Sequence, residues 1–158
     1  MKSSILTIAL AVASVSVSPH LAIASQASDN AKVKAQLVAS ARAFERHDLT
    51  TLAKVFVNDR SLTIYEGGEV NTGWIDYRDN HLKPELAEIK SVRYTLSSIV
   101  SHVDDNTAWA TFNYHIVGST AKRKFDSRGI GTAVLLRVKD TWRIVHWHST
   151  KAPKHGHS

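Results

Sequence analysis

The sequence predicts a single α+β domain, and three observations support this prediction. Apolar residues recur at helical spacing in the first third of the chain. From Val92 onward the pattern changes to the period of two that is typical of β-strands. Compact turns such as Asp104-Asp105-Asn106 separate the strand-like runs, as they do in antiparallel hairpins. Helices followed by long antiparallel strands are typical of the α+β class.

The N-terminal residues have the pattern of a secretory signal peptide. Lys2 supplies a positive charge, residues 5–17 form an apolar and small-residue run, and Ala22-Ile23-Ala24 offers a small-x-small cleavage site. The apolar run is too short to span a bilayer. We therefore expect residues 1–24 to be removed and the domain, residues 25–153, to be periplasmic or secreted. Residues 154–158 form a polar tail that contains two histidines.

Charge indicates which macromolecules the chain can bind, and cysteine content indicates how the fold is stabilised. The chain carries a formal net charge of +6 at pH 7 and has no cysteine, so packing rather than disulfides must hold the exported domain together. The basic residues are scattered apart from Lys122-Arg123-Lys124, which has no interleaved aromatic residues. We expect this cluster to be a solvated loop, with no nucleic-acid partner and no membrane partner after signal removal.

Two helices are predicted first. Ser28 or Asp29 is a candidate N-cap for a helix that runs to about Arg46. Asp48 is a candidate N-cap for a second, short helix over residues 49–56. The apolar stripe of the first helix is formed by Val33, Leu37, Ala41 and Phe44.

A short strand and a third helix follow. Residues 61–66 alternate like a strand, which Gly67-Gly68 ends. Residues 74–82 read as a helix, and Pro84 cannot continue it without a kink, so a separate turn through Leu86 is expected. Tyr65 and Glu66 lie on opposite strand faces, so only one of them can face a given cavity.

Four strands are predicted in the second half of the chain, over residues 92–103, 107–117, 128–139 and 141–149. Residues 118–127 form a longer, basic hairpin loop. Gly129 and Gly131 indicate room for a close neighbour or sheet curvature. An exposed Trp109 beside Trp147 would form an aromatic outer face, which predicts a homodimer through the outer face of the sheet.

The last strand carries the most informative pattern. Regular alternation places Trp142, Ile144, His146 and His148 on one side. Trp142 and Ile144 are good core residues, so both imidazoles are expected to face inward, about 7 Å apart along the strand. A buried pair of imidazoles indicates a lined pocket, because imidazole can act as acid, base or metal ligand near neutral pH.

The order of elements resembles the SnoaL-like branch of the nuclear transport factor 2-like superfamily, from about residue 31 to residue 153. The motifs that carry the resemblance are Phe44-Glu45-Arg46-His47-Asp48, Glu66-Gly67-Gly68, Gly73-Trp74-Ile75-Asp76-Tyr77 and the closing hairpin of residues 132–149. That hairpin also resembles the association domain of calcium/calmodulin-dependent kinases. The resemblance implies a cystatin-like α+β barrel: a cone-shaped, mostly antiparallel (mixed) sheet wrapped around N-terminal helices. It also implies a pocket between the two layers, and usually a homodimer.

The candidate site residues follow from these patterns. His146, His148 and Tyr114 are the candidate catalytic residues, with an imidazole as base and the tyrosine as hydrogen-bond donor. The alternatives for the imidazole pair are a metal site completed by His81 or His115, and a purely structural role. The candidate ligand-binding residues are Tyr65, Trp74, Tyr77, His81, Phe112 and Arg128.

The expected function is the binding of a small, partly apolar organic ligand between sheet and helices. The sequence leaves catalysis open; an enzyme of this type would be an isomerase, lyase or hydrolase that uses no cofactor. Two alternatives remain at this point: a periplasmic protein that binds metal through histidines, and a non-catalytic oligomerisation domain.

Overall fold

The structure, a computed structural model, describes the backbone of residues 19–152 and the side chains of residues 26–152. Most of the predicted signal peptide and the whole histidine-containing tail therefore lie outside the described residues. The helices are α1 (Pro19–Glu45), α2 (Leu49–Val55), α3 (Trp74–Asp76), a π-helical turn (Tyr77–Leu82) and α4 (Lys83–Glu88). The strands are β1 (Thr63–Glu66), β2 (Glu69–Thr72), β3 (Ile89–Asp104), β4 (Thr107–Thr120), β5 (Lys124–Val138) and β6 (Thr141–Lys151).

The six strands form one curved, mixed sheet in the order β2-β1-β6-β5-β4-β3. Only β1 and β6 pair in parallel; the other neighbours are antiparallel. Helix α1 packs against β3 and against α2, which closes the concave face of the sheet. The predicted α+β class, with helices wrapped by a mixed sheet, is confirmed. Among the described residues, no helix is long and apolar enough to cross a membrane.

The start of α1 differs from the prediction. The helix begins at Pro19, so Ser28 and Asp29 lie inside it rather than at its cap. Asp29 instead accepts two hydrogen bonds from Arg137, with Nη2 2.6 Å from Oδ2 and Nη1 3.2 Å from Oδ1. This guanidinium lowers the pKa of Asp29 to about 2. Asp29 therefore ties α1 to β5, a long-range role that helix-start preferences do not reveal.

The second helix begins as predicted. The side chain of Asp48 accepts a hydrogen bond of 2.9 Å from the backbone N–H of Thr51, which makes Asp48 the N-cap of α2. This contact and the Thr51 hydroxyl lower the pKa of Asp48. The helix ends at Val55, where Phe56 turns to extended backbone and forms an isolated bridge with Ile144 of β6.

The third helical segment changes type just ahead of Pro84, where the separate helix α4 begins. The chain stays helical from Trp74 to Glu88, with a π-helical turn in which the N–H of Lys83 donates to the carbonyl of Arg78. Pro84 has no N–H for a bond to residue 80, and the wider π turn lies directly ahead of this gap in the helical ladder. The predicted end of the helix at residue 82 and the separate element at Pro84 are therefore confirmed, although that element is a helix, α4, which continues to Glu88.

Two features of β6 determine what the cavity contains. The Cα register pairs Leu135 with Ile144 but Val134 with His146, so Val145 is an extra, bulged residue. The bulge reverses the alternation: Trp142 and Ile144 face inward, and beyond Val145 it is Trp147 that is buried. The prediction that His146 and His148 follow Trp142 inward is therefore wrong, because one inserted residue turns the second half of the strand over.

Candidate functional site

A cavity of about 540 Å³ opens between the helices and the concave face of the sheet. Phe44, Leu52 and Phe56 line its helical side, and Tyr94, Tyr114 and Phe125 line its sheet side. Charged groups also line the cavity: Glu66, Glu69, His81 and Glu85 gather near β1 and the π-helical turn, and Arg123 and Lys151 come from the β4–β5 hairpin and the end of β6. A mainly apolar cavity of this size with convergent polar groups is typical of a small-molecule site.

The carboxylate of Glu66 projects from the end of β1 into this cavity. The hydroxyl of Tyr77 donates to Oε2 at 3.2 Å, and the hydroxyl of Ser149 donates to Oε1 at 3.2 Å. Burial raises the pKa of Glu66, against the opposing effects of His81 and these donors. A desolvated carboxyl group with a raised pKa can act as a general acid or base near neutral pH.

The imidazole of His81 stands beside that carboxylate. Its Nε2 lies 3.7 Å from Oε2 of Glu66, and its side chain is 14% exposed. Its Nδ1 lies 3.0 Å from Oδ1 of Asn71, an acceptor, so this nitrogen carries the proton. Asn71 therefore orients the ring and leaves Nε2 directed toward the carboxylates of the cavity.

Two further carboxylates surround the same imidazole. Oε2 of Glu85 lies 3.7 Å from Nε2 of His81, and Oε2 of Glu69 lies 3.5 Å from Nδ1. Burial and the nearby charge of Glu66 raise the pKa of Glu85. One imidazole thus faces three carboxylates, and negative charge predominates on this wall.

Three tyrosines bring hydroxyl groups to the cavity. Burial raises the pKa of Tyr77 and of Tyr94 well above the usual value, and it also raises that of Tyr114. All three therefore remain protonated donors at any physiological pH. Tyr94 and Tyr114 meet edge to face, with ring centroids 6.1 Å apart.

Trp147 forms part of the sheet-side wall next to Glu66. The residue is 3% exposed and packs on Phe112 with ring centroids 4.6 Å apart. Its indole N–H is buried beside the carboxyl group of Glu66 and is among the donors that lower the pKa of that group against the effect of burial.

Glycines in β5 make room for these rings. A Cβ atom at Gly129 would lie 2.5 Å from the ring of Tyr114, and one at Gly131 would lie 2.4 Å from the ring of Phe112. The sequence-based expectation of a close neighbour at both glycines is confirmed. The two glycines allow large aromatic residues on β4 to lean over the sheet.

The structure brings together only some of the predicted site residues. Tyr77, His81 and Tyr114 line the cavity. Trp74 and Phe112 are instead buried core residues. The ring of Trp74 stacks on that of Phe56 with centroids 6.1 Å apart, and the ring of Phe112 packs against that of Trp147. The interpretation of these two side chains as ligand contacts is wrong, because their rings fill the core.

Four predicted residues lie on the outer face of the sheet. His146 and His148 flank Tyr65 there, with ring centroids 5.6 and 6.3 Å from the tyrosine ring. Nδ1 of His146 lies 2.7 Å from the hydroxyl of Thr63. Arg128 is exposed and pairs in register with His115, away from the cavity. Their expected places in the pocket are therefore wrong: the Val145 bulge turns His146 and His148 outward, and strand alternation does the same for Tyr65 and Arg128.

The metal site considered from the sequence is not formed. His81 lies in the cavity, whereas His146 and His148 lie on the opposite face of the sheet. His115 also faces outward, where Nε2 contacts Asp126 at 2.8 Å. Within residues 26–152, no three side chains of histidine, aspartate or glutamate are placed so that they could hold a metal ion.

The site predicted from the sequence lacked Glu85, Tyr94, Trp147 and Ser149, and it named Tyr65 where the structure places Glu66. Two of these had a usable signal. Glu66 shares a strand with Tyr65, and alternation requires one of them to face inward. Trp147 is better buried than a histidine, so burying it together with Trp142 and Ile144 already required a bulge.

The outer face is less aromatic than predicted. Trp109 is 48% exposed and stacks on His102 with ring centroids 4.7 Å apart. Trp147, the expected neighbour, is buried on the other face. Tyr65 and Ile130 remain as exposed large side chains beside Trp109 on the same surface.

Comparisons with known proteins agree with this fold. The family model described as a SnoaL-like domain matches residues 33–153. A nuclear transport factor 2-like superfamily protein from Salmonella enterica has a TM-score of 0.76 at 18% identity, and the match covers 84% of this chain and 96% of that one. A proposed dehydratase of the same family from Streptomyces avermitilis has a TM-score of 0.73 at 18% identity, with coverage of 80% and 98%.

A third similar structure bears on the kinase resemblance. A proposed calcium/calmodulin-dependent protein kinase II association domain from Xanthomonas campestris has a TM-score of 0.65 at 17% identity, and the match covers 77% of this chain and 86% of that one. The resemblance predicted from the closing hairpin is confirmed. At these identities the likeness establishes the fold alone. No curated protein sequence matches the chain at a significant level.

Proposed function

Because the chain belongs to the SnoaL-like family, we propose that its cavity binds a small, partly apolar organic ligand and catalyses a proton transfer on it. The reaction class is an isomerisation or a lyase reaction that needs no cofactor. The observation that carries the proposal is the Glu66 carboxylate, held by Tyr77 and Ser149 and placed 3.7 Å from His81 inside the cavity.

Glu66 serves as the general base in this proposal. Burial raises its pKa, which strengthens the carboxylate as a base and brings its protonation equilibrium closer to neutral pH. The two hydroxyl donors fix its orientation, so the free lone pairs point to the ligand. A carboxylate that takes a proton from carbon α to a carbonyl begins both isomerisation and elimination.

The other polar groups have matching roles. The hydroxyls of Tyr94 and Tyr114 are donors for the oxygen that gains negative charge when the α-proton leaves. The proton that Glu66 takes from carbon returns from its carboxyl group to the product or to a leaving hydroxyl group, and Nε2 of His81, 3.7 Å from Oε2, lies beside this carboxyl group throughout. The apolar walls exclude water from the developing charge.

The similar structures support the reaction class without fixing the substrate. The Streptomyces avermitilis protein is described as a proposed dehydratase, which is a lyase. The same fold also serves as an association domain in the Xanthomonas campestris protein. Fold likeness therefore leaves the choice to the site, and a buried carboxylate–imidazole pair favours chemistry over assembly alone.

Deuterium exchange in D₂O tests this function without knowledge of the natural substrate. The probe is a panel of small ketones led by 2-tetralone, whose α-protons are followed by NMR. The wild-type protein is expected to accelerate exchange, and Glu66→Gln should reduce the protein-dependent rate at least ~100-fold. Asp140→Asn, a matched change at an exposed turn, should stay within about twofold. No acceleration by the wild type, or full activity in Glu66→Gln, would overturn the proposal.

We also propose that the protein is exported and forms a homodimer through the outer face of the sheet. The N-terminal pattern supports export. The centre of the outer face supports the dimer, because it is free of Lys, Arg, Asp and Glu while charged residues lie toward its ends, as is typical of protein interfaces. The central residues are Thr63, Tyr65, Val100, His102, Trp109, Thr111, Asn113, Ile130, Thr132, Val134, His146 and His148.

A further inference from the structure

The side-chain amide of Asn71 lies between a carboxylate and an imidazole. Its Nδ2 lies 3.3 Å from Oδ2 of Asp76, and its Oδ1 lies 3.0 Å from Nδ1 of His81. Asn71 is 8% exposed, so both contacts are largely shielded from water. The three side chains therefore form a continuous hydrogen-bonded chain that runs from the half-buried Asp76 to His81 in the cavity.

The backbone brings these three residues together. Asn71 comes from β2, whereas Asp76 is the last residue of α3 and His81 lies in the π-helical turn that follows. Hydrogen bonds in a π-helix run between residues i and i+5, so the turn brings residue 81 around toward the side of residue 76. The backbone N–H of Thr72 also donates to Oδ2 of Asp76 at 2.9 Å, which ties the end of β2 to the helical segment.

Asp76 is an acceptor held in place by several donors. Its second oxygen, Oδ1, accepts from the amide of Asn80 at 2.8 Å. The hydrogen bonds from Asn80 and from the N–H of Thr72 lower the pKa of Asp76, so its side chain is a carboxylate at neutral pH and cannot donate. A reversed Asn71 amide would bring its oxygen against that carboxylate, acceptor against acceptor. Asp76 therefore fixes the orientation in which the amide oxygen of Asn71 faces His81.

The charges around His81 oppose the proton position that this orientation imposes. Nε2 of His81 lies 3.7 Å from Oε2 of Glu66 and 3.7 Å from Oε2 of Glu85, and two carboxylates favour an N–H at Nε2. The carboxylate near Nδ1 is that of Glu69, 3.5 Å away on a side chain that is 75% exposed. Charge alone would thus place the proton of a neutral ring on Nε2, whereas the oxygen of Asn71 places it on Nδ1.

We propose that Asp76 is a positioning residue of the site. It holds the amide of Asn71 so that a neutral His81 carries its proton on Nδ1 and has a bare Nε2. A bare Nε2 leaves the carboxylate of Glu66 a strong base, whereas an N–H there would stabilise the carboxylate and weaken the base. The proposal rests on the proposed function only for the role of Glu66 as base, because the proton position on His81 is a property of the free protein.

Nitrogen NMR of the imidazole measures this proton position directly. Long-range ¹H–¹⁵N spectra distinguish a protonated ring nitrogen from a bare one, and they are recorded at a pH high enough for the ring to be neutral. The signals that are lost in His81→Gln assign His81. The wild-type protein is expected to show Nδ1 protonated and Nε2 bare. A neutral ring with its proton on Nε2 in the wild type would overturn the proposal before any variant of Asp76 is made.

Three variants test whether Asp76 sets the proton position. Asp76→Leu removes the acceptor, so the amide of Asn71 can turn its nitrogen toward His81, and the ring proton is expected mainly on Nε2. Asp76→Asn keeps a carbonyl oxygen for Asn71 but removes the charge, so Nδ1 should stay protonated. Asn80→Ala removes only an exposed partner of Asp76 and is the matched control, expected to keep the wild-type pattern. Persistence of the proton on Nδ1 in Asp76→Leu would show that Asp76 has no positioning role.

A second change at residue 71 separates positioning from damage to the fold. In the double variant Asp76→Leu/Asn71→Asp an oxygen faces Nδ1 of His81 whichever way the new side chain turns, so the proton should return to Nδ1. Ketone α-proton exchange per folded molecule should fall about tenfold in Asp76→Leu and recover most of that loss in the double variant. A double variant that keeps its proton on Nε2 would contradict the proposal.

The two proposals fail separately. A proton position that does not respond to Asp76→Leu overturns the positioning role and leaves the proposed function intact, because that function is judged by exchange in the wild type. A wild-type protein that does not accelerate exchange overturns that function, and the NMR spectra still decide whether Asp76 sets the proton position on His81.

Discussion

Oε2 of Glu66 and Nε2 of His81 face each other across 3.7 Å at the polar end of an aromatic cavity. The two residues come from different elements, the end of β1 and the π-helical turn, and each has its own support. Tyr77 and Ser149 hold the carboxylate, and Asn71 holds the imidazole. A carboxylate–imidazole pair oriented on both sides is suited to move a proton.

The buried carboxylate should make stability depend on pH. Burial raises the pKa of Glu66, so the folded protein binds this proton more tightly than the unfolded chain does. The resulting stabilisation is complete below the unfolded pKa and is lost as pH rises through the folded pKa. Glu66→Gln, which does not titrate, should therefore be more stable than the wild type by about 1 kcal/mol at pH 8, and by less at pH 4.5. Urea unfolding measures this difference, and a difference that does not change with pH would contradict it.

The histidines of β6 should be dispensable for chemistry. His146 and His148 lie beyond the Val145 bulge on the outer face, and the cavity is on the other side of the sheet. The double variant His146→Ala/His148→Ala is expected to exchange ketone α-protons within about twofold of the wild-type rate. A loss of tenfold or more at unchanged folding would show that at least one imidazole reaches the ligand.

Close packing between β4 and β5 should make Gly131 intolerant of a side chain. A Cβ atom there would lie 2.4 Å from Cζ of Phe112, so Gly131→Ala should cost about 1–3 kcal/mol of unfolding free energy. In a Phe112→Leu background the same change should cost less, because the two positions share one space. Strictly additive costs in chemical unfolding would exclude this contact.

The outer face should determine association. Trp109 is 48% exposed in the uncharged centre of that face, and Trp109→Lys would place a charge in the proposed dimer interface. Sedimentation velocity should show dimer formation weakened at least ~10-fold. Ile75→Lys, at an exposed apolar residue of α3, is the matched control and should leave association unchanged. A monomeric wild-type protein would contradict the dimer itself.

Long periodic segments could be predicted from the sequence, because each depends mainly on its own residues. The four long strands are such segments, and the Asp48 cap of α2 was likewise predictable because it depends on a local hydrogen bond. Strand β2, over residues 69–72, could not be predicted because it is short, has no alternating pattern and exists through pairing with β1. The path through Pro84 depends on a π-helical turn that no local preference indicates.

The site was less predictable because it depends on which face of a strand each side chain occupies. A single bulged residue, Val145, exchanges His146 and His148 for Trp147 and Ser149 on the cavity side. Regular alternation assumes no such insertion, so it placed the imidazoles inward. The choice between Tyr65 and Glu66 likewise depends on the parallel pairing of β1 with β6, which joins residues distant in sequence. Local spacing alone correctly placed Tyr77 and His81 on the helical side of the cavity and Tyr114 on its sheet side.

The most direct test of the account is an NMR titration of the glutamate carboxyl groups. The chain has only five glutamates, so selective ¹³C labelling gives five carboxyl signals, and the loss of one signal in Glu66→Gln assigns Glu66. We predict that this signal titrates clearly above the ordinary glutamate pKa, because the carboxyl group is desolvated in the cavity. A Glu66 signal that titrates at or below the ordinary value would contradict it and leave the cavity without its proposed base.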